Sequence, residues 1–233
     1  MDIQLHYAEY GSGDPLLLLH GNGEDSSYFV HQIQEFSKDF CVYAIDTRGH
    51  GNSPRGTAPF TISQFADDLL AFMEQQGLAQ ADILGFSDGA NIALLFALRH
   101  PDRVRRLILN SANLYPEGLQ PWLLESLLQI HETTSQLQTP ESQMEAALLE
   151  LMINEPHIAP EELASLTIPT LVIAGDQDMI QDAHTRLIAA SIPDARLAVI
   201  PGDHFIANKA PAAFNLAVRA FLTEAERSKE EPV

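Results

Sequence analysis

Gly85-Phe86-Ser87-Asp88-Gly89 is entered from the apolar run Ala81 to Leu84 and left through Ala90-Asn91-Ile92-Ala93-Leu94-Leu95-Phe96. A strand that runs into G-x-S-x-G and then into a helical period predicts a sharp turn with a serine at its tip. The reason is steric. A serine held at positive φ needs neighbours without a Cβ, so that the helix can start without striking the strand before it. Gly85 and Gly89 meet that need, and the turn lifts the Ser87 hydroxyl beside the free amides of a helix N-terminus.

Outward from this turn, short apolar runs recur at Leu16 to Leu19, Val42 to Ile45, Val104 to Leu109, Thr170 to Ala174 and Arg196 to Ile200. Strands apolar on both faces belong to a parallel sheet covered by helices. Helical periods alternate with them at 29–36, 62–73 (ended by Gly77), 90–99 (closed by Pro101), 182–191 and 211–222. This alternation predicts an α/β fold, with a mostly parallel sheet and helices on both faces. The alternating stretch Ile3 to Glu9 and the turn Gly11-Ser12-Gly13-Asp14-Pro15 predict an opening hairpin-like pair with Leu16 to Leu19. From 113 to 166 the strands stop. Three amphipathic helical patterns, separated by Pro140 and Pro156, read there as a small helical cap inserted into a core of residues 1–112 and 167–233.

The 233 residues are enough for one full core, and 45% of them are hydrophobic. Thirteen Lys and Arg against 32 Asp and Glu give a net charge of −19, which disfavours nucleic acid and anionic membrane surfaces as partners. Cys41 is the single cysteine, so no intramolecular disulfide can form. No apolar run approaches the roughly 18 residues needed to span a bilayer, and Met1-Asp2-Ile3-Gln4 lacks the pattern of a secretory leader. The expected location is the cytoplasm, the expected partner a small-molecule substrate. The charged stretch 224–233 reads as a fraying end.

Ligands bind parallel sheets beyond the carboxyl ends of the strands. After Leu19 comes His20-Gly21-Asn22-Gly23, a turn whose main-chain N–H groups point inward. The oxyanion of an acyl transfer needs two donors, and the main-chain amides of Asn22 and Asp88 are assigned to it. After Ile45 comes Asp46-Thr47-Arg48-Gly49-His50-Gly51-Asn52-Ser53, a loop to be held by an Asp46–Arg48 pair or by a backbone hydrogen-bond network. His50 is a secondary candidate for the base. Gly175-Asp176-Gln177-Asp178 and Pro201-Gly202-Asp203-His204 follow the last two strands, completing the chain order serine, acid, histidine. His204 would take the Ser87 proton and return it to the leaving group, while a carboxylate steadies the imidazole. Asp178 is preferred as that carboxylate, with Asp176 the alternative.

On these motifs the chain resembles the α/β-hydrolase superfamily over nearly its whole length. The short cap and the run Leu109-Asn110-Ser111-Ala112-Asn113 are similar to the small esterase branch that includes valacyclovir-hydrolase-like proteins. The resemblance implies Ser87 as nucleophile, Asp178 as acid, His204 as base, Asn22 and Asp88 as oxyanion donors, and no cofactor or metal. Ala90 stands where many relatives have glycine, and the elbow serine argues against haloalkane dehalogenases, which place a carboxylate there. The expected reaction is carboxylic ester hydrolysis through an acyl-enzyme on Ser87. C–C bond hydrolysis of ring-cleavage products, and thioester or amide cleavage, use the same triad, and a non-catalytic binding protein of this fold is the reading from another class. Tyr28, Phe86, Tyr115 and Trp122 are candidate pocket residues. The Asp88 side chain has two readings: set aside in the first helical turn, or paired with a substrate ammonium.

Overall fold

The protein is described by a computed structural model of residues 2–224; residues 225–233, most of the charged terminal stretch, lie outside the described residues. Seven strands, β1 (Tyr7–Gly11), β2 (Asp14–Leu19), β3 (Phe40–Ile45), β4 (Ala81–Phe86), β5 (Val104–Asn110), β6 (Thr170–Gly175) and β7 (Arg196–Ile200), form one sheet in the order β1-β3-β2-β4-β5-β6-β7. All pairs are parallel except β1 with β3.

Along β2, consecutive leucines point to opposite faces, as the pleat requires. Leu17 and Leu19 enter one core layer with Phe65, Leu69 and Phe96, and Leu16 and Leu18 enter the other with Phe29, Phe36 and Phe214. The first layer is covered by α2 (Ile62–Gln75) and α3 (Asp88–Arg99), the second by α1 (Val30–Phe36) and α8 (Pro211–Thr223). Each fully buried leucine of β2 contributes roughly 2 kcal/mol by removal from water. The sequence places α2 closely. Thr61 caps it by accepting from the Gln64 N–H, and Gly77, at φ +67°, leaves it in the left-handed region.

The expected opening hairpin is not formed. β1 pairs with β3 through Tyr7 and Ile45, and β2 lies on the other side of β3. The physical reason is burial: the four leucines of β2 are 0–1% exposed and need a neighbour on each side, whereas β1, with Tyr10 at 43%, suits an edge. At the opposite edge, β7 is also less covered than its apolar run implies, with Leu197 and Val199 exposed.

Between β5 and β6 the chain leaves the sheet. α4 (Pro121–Thr134) and α5 (Pro140–Asn154) pack on each other around Leu127 and Leu149, with Ile180 of the core closing the cluster. Thr139 and Ser142 form a reciprocal capping box at the start of α5. The chain then returns through α6 (Asp182–Ser191) and the short α7 (Ile206–Lys209) after β7. Among the described residues, no helix is long and apolar enough to cross a membrane.

Candidate active site

Ser87 links β4 to α3 at φ 52°, ψ −119°. A residue with a Cβ rarely adopts this conformation, and it persists only where its surroundings hold it. The restraint comes from both sides. The Ser87 N–H donates to the Asn110 carbonyl (2.9 Å), while its own carbonyl accepts from Ala90 and Asn91 N–H (2.8 and 3.0 Å) and starts the helix. A Cβ on Gly85 would collide with the Gly89 carbonyl, and one on Gly89 with the Leu19 carbonyl. Both glycines are therefore places where backbone meets backbone, as the motif predicts. One turn into α3, Asn91 exchanges two 2.9 Å hydrogen bonds with Asn113, tying the helix to the segment after β5.

The ends of β6 and β7 bring an acid and a histidine together. Asp178 Oδ1 accepts from His204 Nδ1 at 2.6 Å and from the Ile180 N–H at 2.9 Å. This contact assigns the proton to Nδ1 and leaves Nε2 as the acceptor nitrogen. Asp176 does something else: it is exposed and accepts from the Gly202 N–H (3.0 Å), bracing the two loops. The other Asp178 oxygen, Oδ2, accepts from Ser111 Oγ at 2.6 Å and, at a longer 3.3 Å, from the Gly175 N–H. Burial alone would raise this carboxyl, but the hydrogen bonds from His204, Ile180 and Ser111 outweigh it and hold Asp178 below the ordinary carboxylate range. Ser111, itself at φ 57°, lies in the run that carries the branch resemblance, but nothing in the sequence marks its contact with the second oxygen of a distant carboxylate.

The loop after β2 is held by two buried histidines. His20 Nδ1 donates to the Gly21 carbonyl (2.8 Å) and its Nε2 accepts from the Thr47 N–H (3.0 Å); burial lowers it to about 4 and keeps it neutral. His50 Nδ1 lies 3.0 Å from the Arg48 carbonyl and its Nε2 accepts from the Gly23 N–H (3.1 Å). Both His50 nitrogens are engaged in loop support, which removes it as an alternative base. The following loop is a backbone network rather than an Asp46–Arg48 pair. Asp46 accepts from Ser26 and Asn52 N–H, while Arg48 reaches Asp68 on α2 (2.6 and 2.7 Å) and Asp2.

Two carboxyl groups flank the loop. Glu24 Oε2 accepts from the Gly21 N–H (3.2 Å), and burial pushes it up to about 7. Asp88 is buried and pushed up to about 6, again by burial. Its Oδ2 accepts from Asn22 Nδ2 at 2.8 Å, and the same Asn22 nitrogen donates to the Leu148 carbonyl of α5 at 3.0 Å. The Asp88 side chain thus faces the loop after β2.

The candidate pocket aromatics divide. Phe86 lies 4.9 Å from the His204 ring and stacks on Tyr28 at 4.4 Å. Tyr115 instead packs edge-on against His184 (4.6 Å), and Trp122 is 57% exposed near the start of α4. Among the described residues, no group of three or more His, Cys, Asp or Glu side chains is arranged to hold a metal ion.

Residues 14–154, more than half of the chain, match the family model described as alpha/beta hydrolase fold. The chain is 27% identical to 3-oxoadipate enol-lactonase 2 of Acinetobacter baylyi over 95% of its own length and 94% of that protein. It is 25% identical to the mouse (Mus musculus) serine hydrolase BPHL, covering 94% of this chain and 83% of the relative. Among solved structures, a thermophilic esterase from Thermogutta terrifontis superposes with a TM-score of 0.79 at 27% identity, over 94% of this chain and 93% of that one.

Proposed function

The chain belongs to the α/β-hydrolase family and is a hydrolase, and from this premise we propose that it cleaves a carboxylic ester by nucleophilic catalysis at Ser87. The observation that carries the reading is the buried 2.6 Å Asp178–His204 contact, formed at the end of the sheet where the strained Ser87 turn projects. In this reading His204 Nε2 takes the proton as Ser87 Oγ attacks the carbonyl carbon. The tetrahedral oxyanion is met by the main-chain N–H groups of Asn22 and Asp88, and the second of these opens α3, whose dipole favours negative charge. His204 then returns the proton to the leaving alcohol, and water repeats the cycle on the acyl-enzyme. Phe86 forms an apolar wall beside the base, with Tyr28 stacked on it, and residues 113–166 act as the cap. An enol-lactone is a cyclic ester, so the activity in one relative's name accords with this bond type.

The Asp88 carboxylate as partner for a substrate ammonium is the narrower proposal; comparing an aminoacyl ester with its deaminated analogue, in wild type and Asp88→Ala, tests it. Equal losses on both esters would remove it. The main reading is tested by treating folded protein with a fluorophosphonate probe and assaying a graded series of acyl esters. Labelling at Ser87 and ester turnover, both abolished by Ser87→Ala, are expected; an unlabelled serine in folded protein would overturn the reading in favour of a binder.

A further inference from the structure

We infer that the Asn22 carboxamide is a latch: a positioning group that fastens α5 to the oxyanion loop and to the residue after the nucleophile, coupling the seating of the helical insertion to the geometry at Ser87. Three segments distant in sequence meet on one side-chain nitrogen, which donates to Asp88 Oδ2 (2.8 Å) and to the Leu148 carbonyl (3.0 Å). Leu148 lies within α5, where its carbonyl also serves the helical ladder; the Asn22 bond uses its second lone pair and holds the helix from the side. α5 is also held by packing, with Leu151 buried in the first core layer and Leu149 in the cluster closed by Ile180. The Met144 methyl lies against Gly49, and Glu155, just past the helix, accepts from the Ile62 N–H at 2.6 Å.

The chemistry at position 22 is specific. A carboxamide carries two N–H bonds on one atom, so one can serve each acceptor. Aspartate has the same shape and neither donor, and would face the Asp88 carboxyl with a second one. Serine is shorter and offers a single donor. The latch also explains what a buried carboxyl does beside a site where negative charge develops: Asp88 is occupied by the Asn22 N–H, and through it the main-chain N–H of Asn22 is kept at one orientation. The link to catalysis rests on the proposed role of that N–H as an oxyanion donor; the link to the insertion does not.

Hydrogen exchange and ester kinetics on wild type, Asn22→Asp, Asp88→Asn and the double variant N22D/D88N separate the two bonds. Asp88→Asn keeps an acceptor oxygen at position 88, so both Asn22 donors stay engaged and α5 exchanges as in wild type. Asn22→Asp removes both donors: exchange of α5 amides accelerates about tenfold, the equivalent of one net hydrogen bond, while β4 and β5 keep their protection. On an ester that wild type turns over, kcat falls at least tenfold, as expected for a displaced oxyanion donor. The double variant reverses the bond between positions 22 and 88, the new carboxamide at 88 donating to the new carboxylate at 22, and leaves the Leu148 carbonyl without its side-chain donor. Its α5 exchange stays fast, while kcat rises at least fivefold over Asn22→Asp. Unchanged α5 exchange in Asn22→Asp overturns the latch, and so does acceleration spread equally through β4 and β5. The exchange measurement needs no turnover, so a failure of ester hydrolysis refutes the proposed reaction without touching this result.

Discussion

Ser111→Ala removes one hydroxyl, and its cost can be worked from the contacts around it. Ser111 Oγ donates to Asp178 Oδ2 at 2.6 Å and accepts from Asn110 Nδ2 at 2.8 Å, all within the core. After the substitution Oδ2 retains only the Gly175 N–H at 3.3 Å, beyond the usual hydrogen-bond range, and Asn110 retains the Ile173 carbonyl at 3.4 Å. A hydrogen bond to a charged acceptor is worth about 1.5 to 3 kcal/mol, and an alanine avoids the small cost of burying a hydroxyl. The expected loss is therefore about 2 kcal/mol in equilibrium unfolding by urea at pH 7.5. The pH dependence has a definite sign. Asp178 is held below its unfolded value, so its stabilisation is present above the unfolded value and is lost as pH falls through the folded one. The penalty of Ser111→Ala must then shrink toward acid pH, where the carboxyl is protonated in both proteins. On the proposed assignment, in which the same carboxylate supports imidazolium on His204, kcat/KM for an ester should drop about tenfold, most of the way to the bond's full worth. A variant within about 0.5 kcal/mol of wild type at pH 7.5, or one whose penalty grows toward acid, would refute the assignment of Ser111 as the second donor to Asp178.

Glu24→Gln tests the carboxyl on the Gly21 N–H. With a folded value near 7, Glu24 contributes its full stability below its unfolded value and loses it as pH rises through 7. The glutamine variant should thus gain on wild type by roughly 1 kcal/mol at pH 8, discounted for partial exposure, and match it at pH 4. Asp88→Asn follows the same sign over a lower window, about pH 4 to 6, with a ceiling of roughly 3 kcal/mol in chemical denaturation because the group is buried. A gain that fails to grow between pH 4 and 8 would show that burial does not set the titration. Gly89→Ala forces a Cβ onto the Leu19 carbonyl, where neither partner is a flexible side chain. It should cost at least about 3 kcal/mol in urea or prevent folding, and a mild effect would mean that α3 is not in backbone contact with β2.

What was legible in the sequence is what local stereochemistry or chain order dictates. The Ser87 turn was readable because positive φ, two glycines and a switch of hydrophobic period coincide within ten residues. Asp178 is preferred over Asp176 as the partner of His204 because of its place in the turn after a strand end, and the structure joins Asp178, rather than Asp176, to His204. The helices at 121–134 and 140–154 announced themselves by period, with Pro140 read as the break between them. Partner choice was less visible. Alternation marks β1 as a strand but says nothing of which neighbour it takes, and close spacing in sequence made Asp46–Arg48 a natural pair when Arg48 is instead claimed by Asp68 and Asp2. Ser111 and the Asn22 side chain escaped for the same reason: each is defined by a contact across more than 60 residues. Trp122 and Tyr115 show the converse, since an aromatic on an inserted segment has a destination only once that segment is seated.

The half-covered edge strand β7 has a bearing on how the protein would fail. Leu197 and Val199 leave it exposed, it pairs with β6 alone, and His204 follows it by four residues. Strands at such edges open through excursions far smaller than global unfolding. On the proposed assignment the base rides on the margin of the sheet, whereas the nucleophile turn is locked between β2, β4 and α3 at its centre. Heat would accordingly silence the enzyme while most of its sheet remained intact, and an inactivated population could recover by re-zipping one strand instead of refolding the whole chain.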